Sequence, residues 1–232
     1  MLVAERELHE RADSKYVLTP GEAAALVGAL ADGYAVLRAG EGPVARYRTL
    51  YYDTPELDSF HAHRRGYRVR HKVRVRHYAD RQVSYLEVKT RRNDLHTAKF
   101  RRERAYGDEM LDADDQAFVT SQTGIARAVQ PQAGTRFRRI TLLGLRDNER
   151  ITVDVELVIE GMRRQRSLAG IAVVEVKQWP RARRTPIMLA LRAAGRRPGW
   201  MSKYCAAIAF THPGVRSNAL LPGLRNLERG AA

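Results

Sequence analysis

The chain has 232 residues, 44% of them hydrophobic, and its 41 Lys and Arg against 26 Asp and Glu give a formal net charge of +15. These values are those of a globular chain with a sizeable core, and the one cysteine, Cys205, excludes a disulfide framework. The excess of positive charge predicts a polyanionic partner, such as nucleic acid, an anionic membrane or a phosphate-rich small molecule.

The elements follow each other as mixed helices and strands. TPGEAAALVGALADG predicts a helix, with Thr19 as N-cap, Pro20 at the first helical position and an end near Gly33. Strand patterns cover 47–52, 67–78, 83–91, 100–106, 136–143, 150–159 and 171–179. A short helix is predicted over 111–120, and TPIMLALRAAG predicts another, with the same terminal signals as the first. From about Pro213 the sequence predicts a loose tail.

The sequence predicts neither a secretion signal nor a membrane span. The start, MLVAERELHE, is charged too early for a signal peptide. Apolar runs such as GIAVVEV are too short to cross a bilayer. We therefore expect a soluble, cytoplasmic protein with no transmembrane segment.

One predicted strand, YRVRHKVRVRHY at residues 67–78, carries a row of cations. Alternation places Arg68, Arg70, Lys72, Arg74 and Arg76 on one face, opposite valines and histidines. Neighbouring charges about 7 Å apart repel by about 0.6 kcal/mol in water and by more inside a protein. A bound anion would relieve that repulsion.

Other strands also have one apolar face and one charged face. In RITVDVELVI, the face with Asp154 and Glu156 is opposite a row of Ile, Val and Leu, and VSYLEVKTR and IAVVEVKQW show the same alternation. An open sheet with one solvated face gives this pattern, and so does a barrel with its charged face inward and helices outside. The predicted helices need an apolar sheet face to cover, which favours the second arrangement.

A tunnel lined by many cations and few carboxylates suits a polyphosphate chain bound with a divalent metal. The sequence has no GxxxxGK[ST] loop, no cysteine cluster and no GxSxG elbow to indicate another chemistry. The carboxylates on the charged strand faces would hold such a metal against the phosphates, although Glu175 of VVEVK would equally be explained as an ion-pair partner of Lys177.

Nine segments occur in the order SKY, RTLYYDTPELDSF, KVRVRHY, LEVKTRRN, AKFRR, FRR, RITVD, VVEVK and MSKY. Together they resemble the VTC domain, which occurs in the vacuolar transporter chaperone complex and its bacterial relatives and belongs to the triphosphate tunnel, or CYTH-like, superfamily. The resemblance implies an α+β fold: an antiparallel eight-stranded β-barrel that binds triphosphate in its tunnel, with helices packed outside. We expect this domain over residues 5–212 and a C-terminal tail over 213–232.

The resemblance also implies roles for individual residues. Phosphate binding is implied for Lys15, Arg74, Arg76, Lys89, Lys99, Arg138, Arg150 and Lys203. Of these, Arg74, Arg76, Lys89, Arg138 and Lys203 are expected to act in catalysis, and Glu175 to bind Mn²⁺ or Mg²⁺. Trp200 stands where catalytic members of the family carry a lysine, and His77 where the family prefers an aromatic residue.

The family's activity implies a metal-dependent polyphosphate polymerase that transfers the γ-phosphate of ATP to inorganic polyphosphate. Hydrolysis of triphosphate or polyphosphate uses nearly the same ligands; however, ERELHERADSKY lacks the ExExK spacing typical of the superfamily's hydrolases. Non-catalytic binding of polyphosphate or nucleic acid is a third alternative, although the strand with the arginine row has no aromatic residue between Tyr67 and Tyr78 for base stacking. The expected ligands are ATP, pyrophosphate, triphosphate and polyphosphate rather than a specific nucleic acid. The sequence does not decide whether the protein has a membrane partner protein.

Overall fold

The computed structural model describes residues 12–92, 97–161 and 164–231. The strands are β1 (Ala12–Leu18), β2 (Tyr34–Val36), β3 (Val44–Asp53), β4 (Arg70–Tyr78), β5 (Val83–Arg91), β6 (Thr97–Arg104), β7 (Gln130–Gly144), β8 (Glu149–Glu160), β9 (Gln165–Leu168) and β10 (Ala172–Gln178). The helices are α1 (Pro20–Ala29), α2 (Asp58–Arg65), α3 (Ala113–Thr123), α4 (Pro186–Ala193), α5 (Lys203–Thr211) and α6 (Leu221–Ala231). Among these helices, none has the length and apolar character needed to cross a bilayer.

All the strands join one antiparallel sheet, whose main path runs β1-β10-β8-β7-β3-β4-β5-β6, with β2 beside β7 and β9 beside β8. Within the described residues, no backbone ladder connects β6 to β1, so the sheet curves without closing into a hydrogen-bonded barrel. The charges of Lys15 on β1 and Lys89 on β5 nevertheless act on each other across the interior. The predicted α+β tunnel fold with eight antiparallel strands is confirmed, with an open seam between its two edge strands.

The outer face of the sheet is apolar and is covered by helices. Leu191 of α4 belongs to one core cluster with Val174, and Val119 of α3 belongs to another with Val75 and Leu86. These strand residues alternate with the charged positions, so burying them outside turns the charged side chains inward. The valine face of the arginine row is therefore the outer face, as the pattern predicts.

Helix α5 differs from the covering helices because it lies at one end of the curved sheet. Residues 204–208 are at most 2% exposed, so this helix is buried on all sides. It shares a core cluster with Tyr51 of β3, Phe137 of β7 and Leu157 of β8, which lie on the inner face. The ring of Tyr204 lies 5.4 Å from that of Tyr51.

The segment beyond Pro213 is not loose, so that prediction is wrong. It contains a 3₁₀ turn and helix α6, and Leu220, Leu224 and Leu227 are buried in the core cluster of α5. These leucines recur at intervals of four and three residues, which forms one apolar helical stripe. The division of the chain at residue 212 stays a prediction.

Candidate functional site

The candidate site is the inner face of the sheet. Residues directly opposite each other on antiparallel strands project to the same side. Lys15 of β1 is opposite Glu175 of β10, and Arg74 of β4 is opposite Glu87 of β5. Strand pairing therefore assembles cations and a few carboxylates around one enclosed space.

Glu87 anchors the arginine row. Its carboxylate is 1% exposed and accepts Arg74 Nη2 at 2.6 Å and Lys99 Nζ at 2.5 Å. Arg76, 7% exposed, donates Nε to Thr49 Oγ1 at 3.0 Å. Burial alone would raise the pKa of Glu87, but the charges of Arg74, Arg76 and Lys99 outweigh burial and hold it well below its usual range. Glu87 is therefore ionised at neutral pH and fixes the neighbouring cations.

Asp154 of β8 anchors a second cluster. Arg139 donates Nε to its Oδ1 at 2.5 Å and Nη2 to its Oδ2 at 2.8 Å, and Lys203 of α5 binds Oδ2 as well. The Arg139 guanidinium also stacks 5.2 Å from the ring centroids of both Tyr47 and Phe137. Burial would raise the pKa of Asp154, but Arg139 and Lys203 hold it well below its usual range.

Glu175 lies among lysines. Its Oε1 accepts Lys177 Nζ at 2.8 Å, and Lys177 also lies 3.8 Å from Asp13. Burial acts to raise the pKa of Glu175, while the charges of Lys15 and Lys177 lower it well below its usual range. Lys15 itself donates to the main-chain oxygen of Met201 at 3.0 Å.

Three lysines stand abreast on neighbouring strands, since Lys72 is opposite Lys89 and Lys89 is opposite Lys99. Like charges in this position destabilise a sheet. Burial, reinforced by the charges of Lys15, Lys89 and Arg74 against an opposing effect of Cys205, lowers the pKa of Lys72 to about 7. Burial and Lys177 likewise contribute most to lowering the pKa of Lys89 to about 8.

Lysine is confined to this interior. The chain has six lysines, and all of them lie on the inner face or at the N-terminus of α5, which faces it: Lys15, Lys72, Lys89, Lys99, Lys177 and Lys203. Arginine, by contrast, lies on both faces of the sheet, as Arg74 inside and Arg136 outside illustrate.

The structure brings together most of the residues that the sequence singles out. Those on the inner face are Lys15, Arg74, Arg76, Lys89, Lys99, Glu175 and Lys203, of which Lys89 and Lys99 are exposed. Arg150 is opposite Lys177 and shares that face, but it is exposed at the end of β8. Their roles in binding and catalysis stay predictions.

Arg138 is a correction, because it points away from the tunnel. Its side chain is 49% exposed and pairs with Glu156, itself 58% exposed. Phe137 stacks inward on Tyr47, with ring centroids 5.3 Å apart, so strand alternation turns Arg138 outward and the next residue, Arg139, inward. The FRR motif contains both arginines, and only the position of Phe137 decides between them.

Lys72, Arg139 and Asp154 are inner-face residues to which the sequence analysis assigns no role in the site. Lys72 could have been chosen because it alternates in phase with Arg74 in the arginine row. Asp154 could have been chosen in the same way from the charged face of RITVDVELVI. Arg139 carries no such signal, since its neighbour Arg138 fits the motif equally well.

Trp200 and His77, the two residues that depart from the family pattern, do not line the interior of the curved sheet. A Cβ atom added to Gly223 would collide with the Trp200 ring, so this tryptophan packs directly on α6. Trp200 also lines an open pocket of about 400 Å³ beside Lys15. His77 is 3% exposed on the outer side, where Nδ1 lies 2.7 Å from Ser84 Oγ.

The chemistry of this arrangement is recognition of a compact polyanion. Planar guanidinium groups and point-like ammonium groups face one space, and the buried carboxylates Glu87 and Asp154 are each held by two cations. No group of three or more His, Cys, Asp or Glu side chains that could hold a metal occurs among the residues described.

Comparison with known proteins agrees with this geometry. The family model of the VTC domain matches residues 10–212. The fold is similar to that of a Hippeastrum protein, a candidate adenylyl cyclase described as having a dominant triphosphatase activity, with 13% identity, a TM-score of 0.52 and coverage of 88% of this chain and 98% of that one. It is also similar to a candidate adenylate cyclase from Bacillus halodurans, with 9% identity, a TM-score of 0.50 and coverage of 83% and 94%. No curated protein sequence matches this chain.

Arg139→Gln and Arg138→Gln remove the same charge from adjacent positions with opposite orientations. Arg139→Gln should lower the free energy of unfolding by about 3 kcal/mol, because it takes a partner from the buried Asp154. Arg138→Gln should change it by less than about 0.5 kcal/mol, because its pair with Glu156 is exposed. Urea denaturation of both variants measures this difference, and equal losses would contradict the assignment of Arg139 to the interior.

The ligand-free protein should become more stable as the pH rises from about 7.5 to 9. In this window an unfolded lysine, with a pKa of about 10.4, keeps a proton that folded Lys72, with a pKa of about 7, has released. The unfolded state thus binds more protons, and stability rises with pH. Lys72→Met should reduce this slope, whereas Arg136→Met on the outer face should keep it. A melting temperature independent of pH would contradict the lysine environment described here.

Proposed function

The chain belongs to the VTC domain family, and from this premise we propose that it is a metal-dependent phosphotransferase that adds the γ-phosphate of ATP to inorganic polyphosphate. The observation that carries the proposal is the convergence of cations on the inner face of the curved sheet. They are Lys15, Lys72, Arg74, Arg76, Lys89, Lys99, Arg139, Lys177 and Lys203. Glu87, Asp154 and Glu175 do not balance this charge, so a polyanion would.

The protein's own groups bind and orient the phosphates. Arg74 is fixed by Glu87, and Arg76 is fixed by Thr49 and lies 5.4 Å from the ring centroid of Tyr47, so both guanidinium groups are held before substrate arrives. An oxygen of the acceptor phosphate attacks the γ-phosphorus in line, a new P–O bond forms, and the bond to ADP breaks. No protein nucleophile is needed, since positioning and charge neutralisation supply the catalysis.

Glu175 is the residue that would hold Mn²⁺ or Mg²⁺. Mg²⁺ is commonly held by one or two carboxylates together with substrate phosphates and water. Glu175 fits that donor set: it is ionised, its side chain is 18% exposed, and of the two lysines whose charges act on it, Lys15 and Lys177, Lys177 lies within hydrogen-bond distance. When bound, the metal would neutralise charge on the phosphate oxygens.

Hydrolysis, with water as the acceptor, is the second candidate. The observation that favours it is the position of α5, which fills one end of the curved sheet and limits the room for a long acceptor. The Hippeastrum protein of similar fold, described as a triphosphatase, is consistent with this alternative. Both candidates use the same phosphate ligands, and a cytoplasmic location stays a prediction for either.

Incubation of the pure protein with ATP and Mn²⁺ tests both candidates. Polyphosphate ladders on a gel would support transfer, and free phosphate without ladders would support hydrolysis. Arg74→Met should lower kcat about 100-fold, because it removes one preorganised cation from the reacting phosphates. Arg136→Met is the matched control, since Arg136 is 53% exposed and pairs with Glu160 on the outer face. Equal activity of the two variants would reject the tunnel as the site.

Glu175→Gln separates metal binding from a structural ion pair. It should raise the Mn²⁺ concentration needed for half-maximal turnover and lower kcat by at least tenfold. Binding of triphosphate without metal should stay equal or become tighter, because a negative charge beside the phosphates is gone. If the Mn²⁺ dependence of turnover is unchanged in this variant, Glu175 does not bind the metal and its role is the structural ion pair with Lys177.

A further inference from the structure

Trp200 is a large aromatic side chain that stays partly open to solvent beside the site. It is 37% exposed, although tryptophan is highly buried on average in folded proteins. Its ring lies against Gly223 of α6, which makes room for the ring because glycine has no Cβ atom. The next residue of that helix, Leu224, is buried in the core, so the support under the ring is fixed. The ring is therefore held in place while part of its surface is open.

The pocket beside Trp200 opens onto the inner face of the sheet. Its volume of about 400 Å³ is within the range of small-molecule sites, about 300–1,000 Å³. Lys15 lines the pocket and also projects to the inner face, since it is opposite Glu175. The main-chain N–H of Gly199 donates to the carbonyl oxygen of Lys15 at 2.8 Å and joins the Trp200 segment to β1. A ligand in this pocket would contact both an indole ring and the edge of the cation-lined face.

Lys15 connects the pocket to the charges of the interior. Its ammonium group donates to the main-chain oxygen of Met201, another lining residue of the pocket, at 3.0 Å. Its charge also acts on Glu175 and on Lys89. A molecule with an aromatic ring at one end and a chain of anionic groups at the other matches this arrangement. The ring would lie on Trp200, the first phosphate at Lys15 and the following phosphates toward Lys89.

We propose that this pocket is the nucleoside subsite of the phosphate donor, in which the base stacks on Trp200. This deepens the function proposed above, whose donor is ATP, and rests on it. Stacking on an aromatic side chain is tolerant of sequence, because every base has a π face. The substrate class is therefore nucleoside triphosphates in general rather than adenosine compounds alone.

The subsite leaves a separate approach for the phosphate acceptor. A cleft between β3, β4 and β7 is lined by Tyr47 and Tyr78 together with Arg38, Arg81 and Arg139. Among the described residues, this cleft and the Trp200 pocket have no lining residue in common. A nucleoside bound in the pocket would therefore leave the cleft open to the polyphosphate end that the transfer requires.

Trp200→Leu tests the proposal, because it removes the π face and keeps an apolar side chain against Gly223. In calorimetric titrations of the full chain at equal ionic strength, the variant should bind ATP about tenfold more weakly and tripolyphosphate, which has no base, within about twofold of the original affinity. Trp200→Phe should restore most of the affinity for ATP. Tyr106→Leu is the matched control, since Tyr106 is 42% exposed and lies against His77 on the outer side, and it should change neither affinity.

Fluorescence gives a second measurement, in which the ring itself is kept. The chain has two tryptophans, Trp179 and Trp200, so Trp179→Phe leaves the emission of Trp200 alone. ATP should quench this emission, and tripolyphosphate should quench it much less, because the base and not the phosphate chain contacts the indole.

The results that would overturn the proposal differ from those that would overturn the proposed function. If Trp200→Leu leaves the affinity for ATP unchanged, or weakens ATP and tripolyphosphate alike, Trp200 does not bind the base and the proposed function survives. Equal quenching by the two ligands leads to the same conclusion. If the original protein binds neither ATP nor tripolyphosphate, the proposed function fails together with the subsite.

Discussion

The confinement of like charges is the constraint on which the rest of this structure depends. Cations on adjacent strands stand directly opposite one another, as in the row Lys72, Lys89 and Lys99, and such rows destabilise a sheet. Two buried carboxylates of the inner face, Glu87 and Asp154, are each placed where they serve two cations at once. Glu87 lies between Arg74 and Lys99, and Asp154 joins strand β7 to α5 through its two partners.

The opposite face of the same strands compensates for this strain. Valines and leucines that alternate with the cations are buried under α1, α3 and α4, and their burial favours the curved sheet. Aromatic rings support the interior as well, because Tyr47 and Phe137 lie against the guanidinium of Arg139. The fold therefore maintains a binding face that is unfavourable when empty, a compromise common at functional sites.

Alternation along single strands could be predicted from the sequence, and with it the inward direction of Arg74 and Arg76. Which side chains of a strand point inward was harder to predict where two arginines are adjacent, as Arg138 and Arg139 are. There the stacking of Phe137 on Tyr47 of another strand turns Arg139 inward. A bulge at Glu156, whose φ is +52°, then changes which positions of β8 face inward. The placement of α5 at the end of the sheet depends on contacts distant in sequence, so no local pattern indicates it.

The restriction of lysine to the interior has a practical consequence for anyone handling this protein. Reagents that acylate amines would find their lysine targets inside the cavity, while the outer surface presents guanidinium groups that do not react in the same way. Coupling the chain to a sensor surface through lysine would therefore obstruct the cavity itself. Mass spectrometry of acylated lysines would therefore report on the inner face of the sheet, including Lys99, whose side chain is 47% exposed.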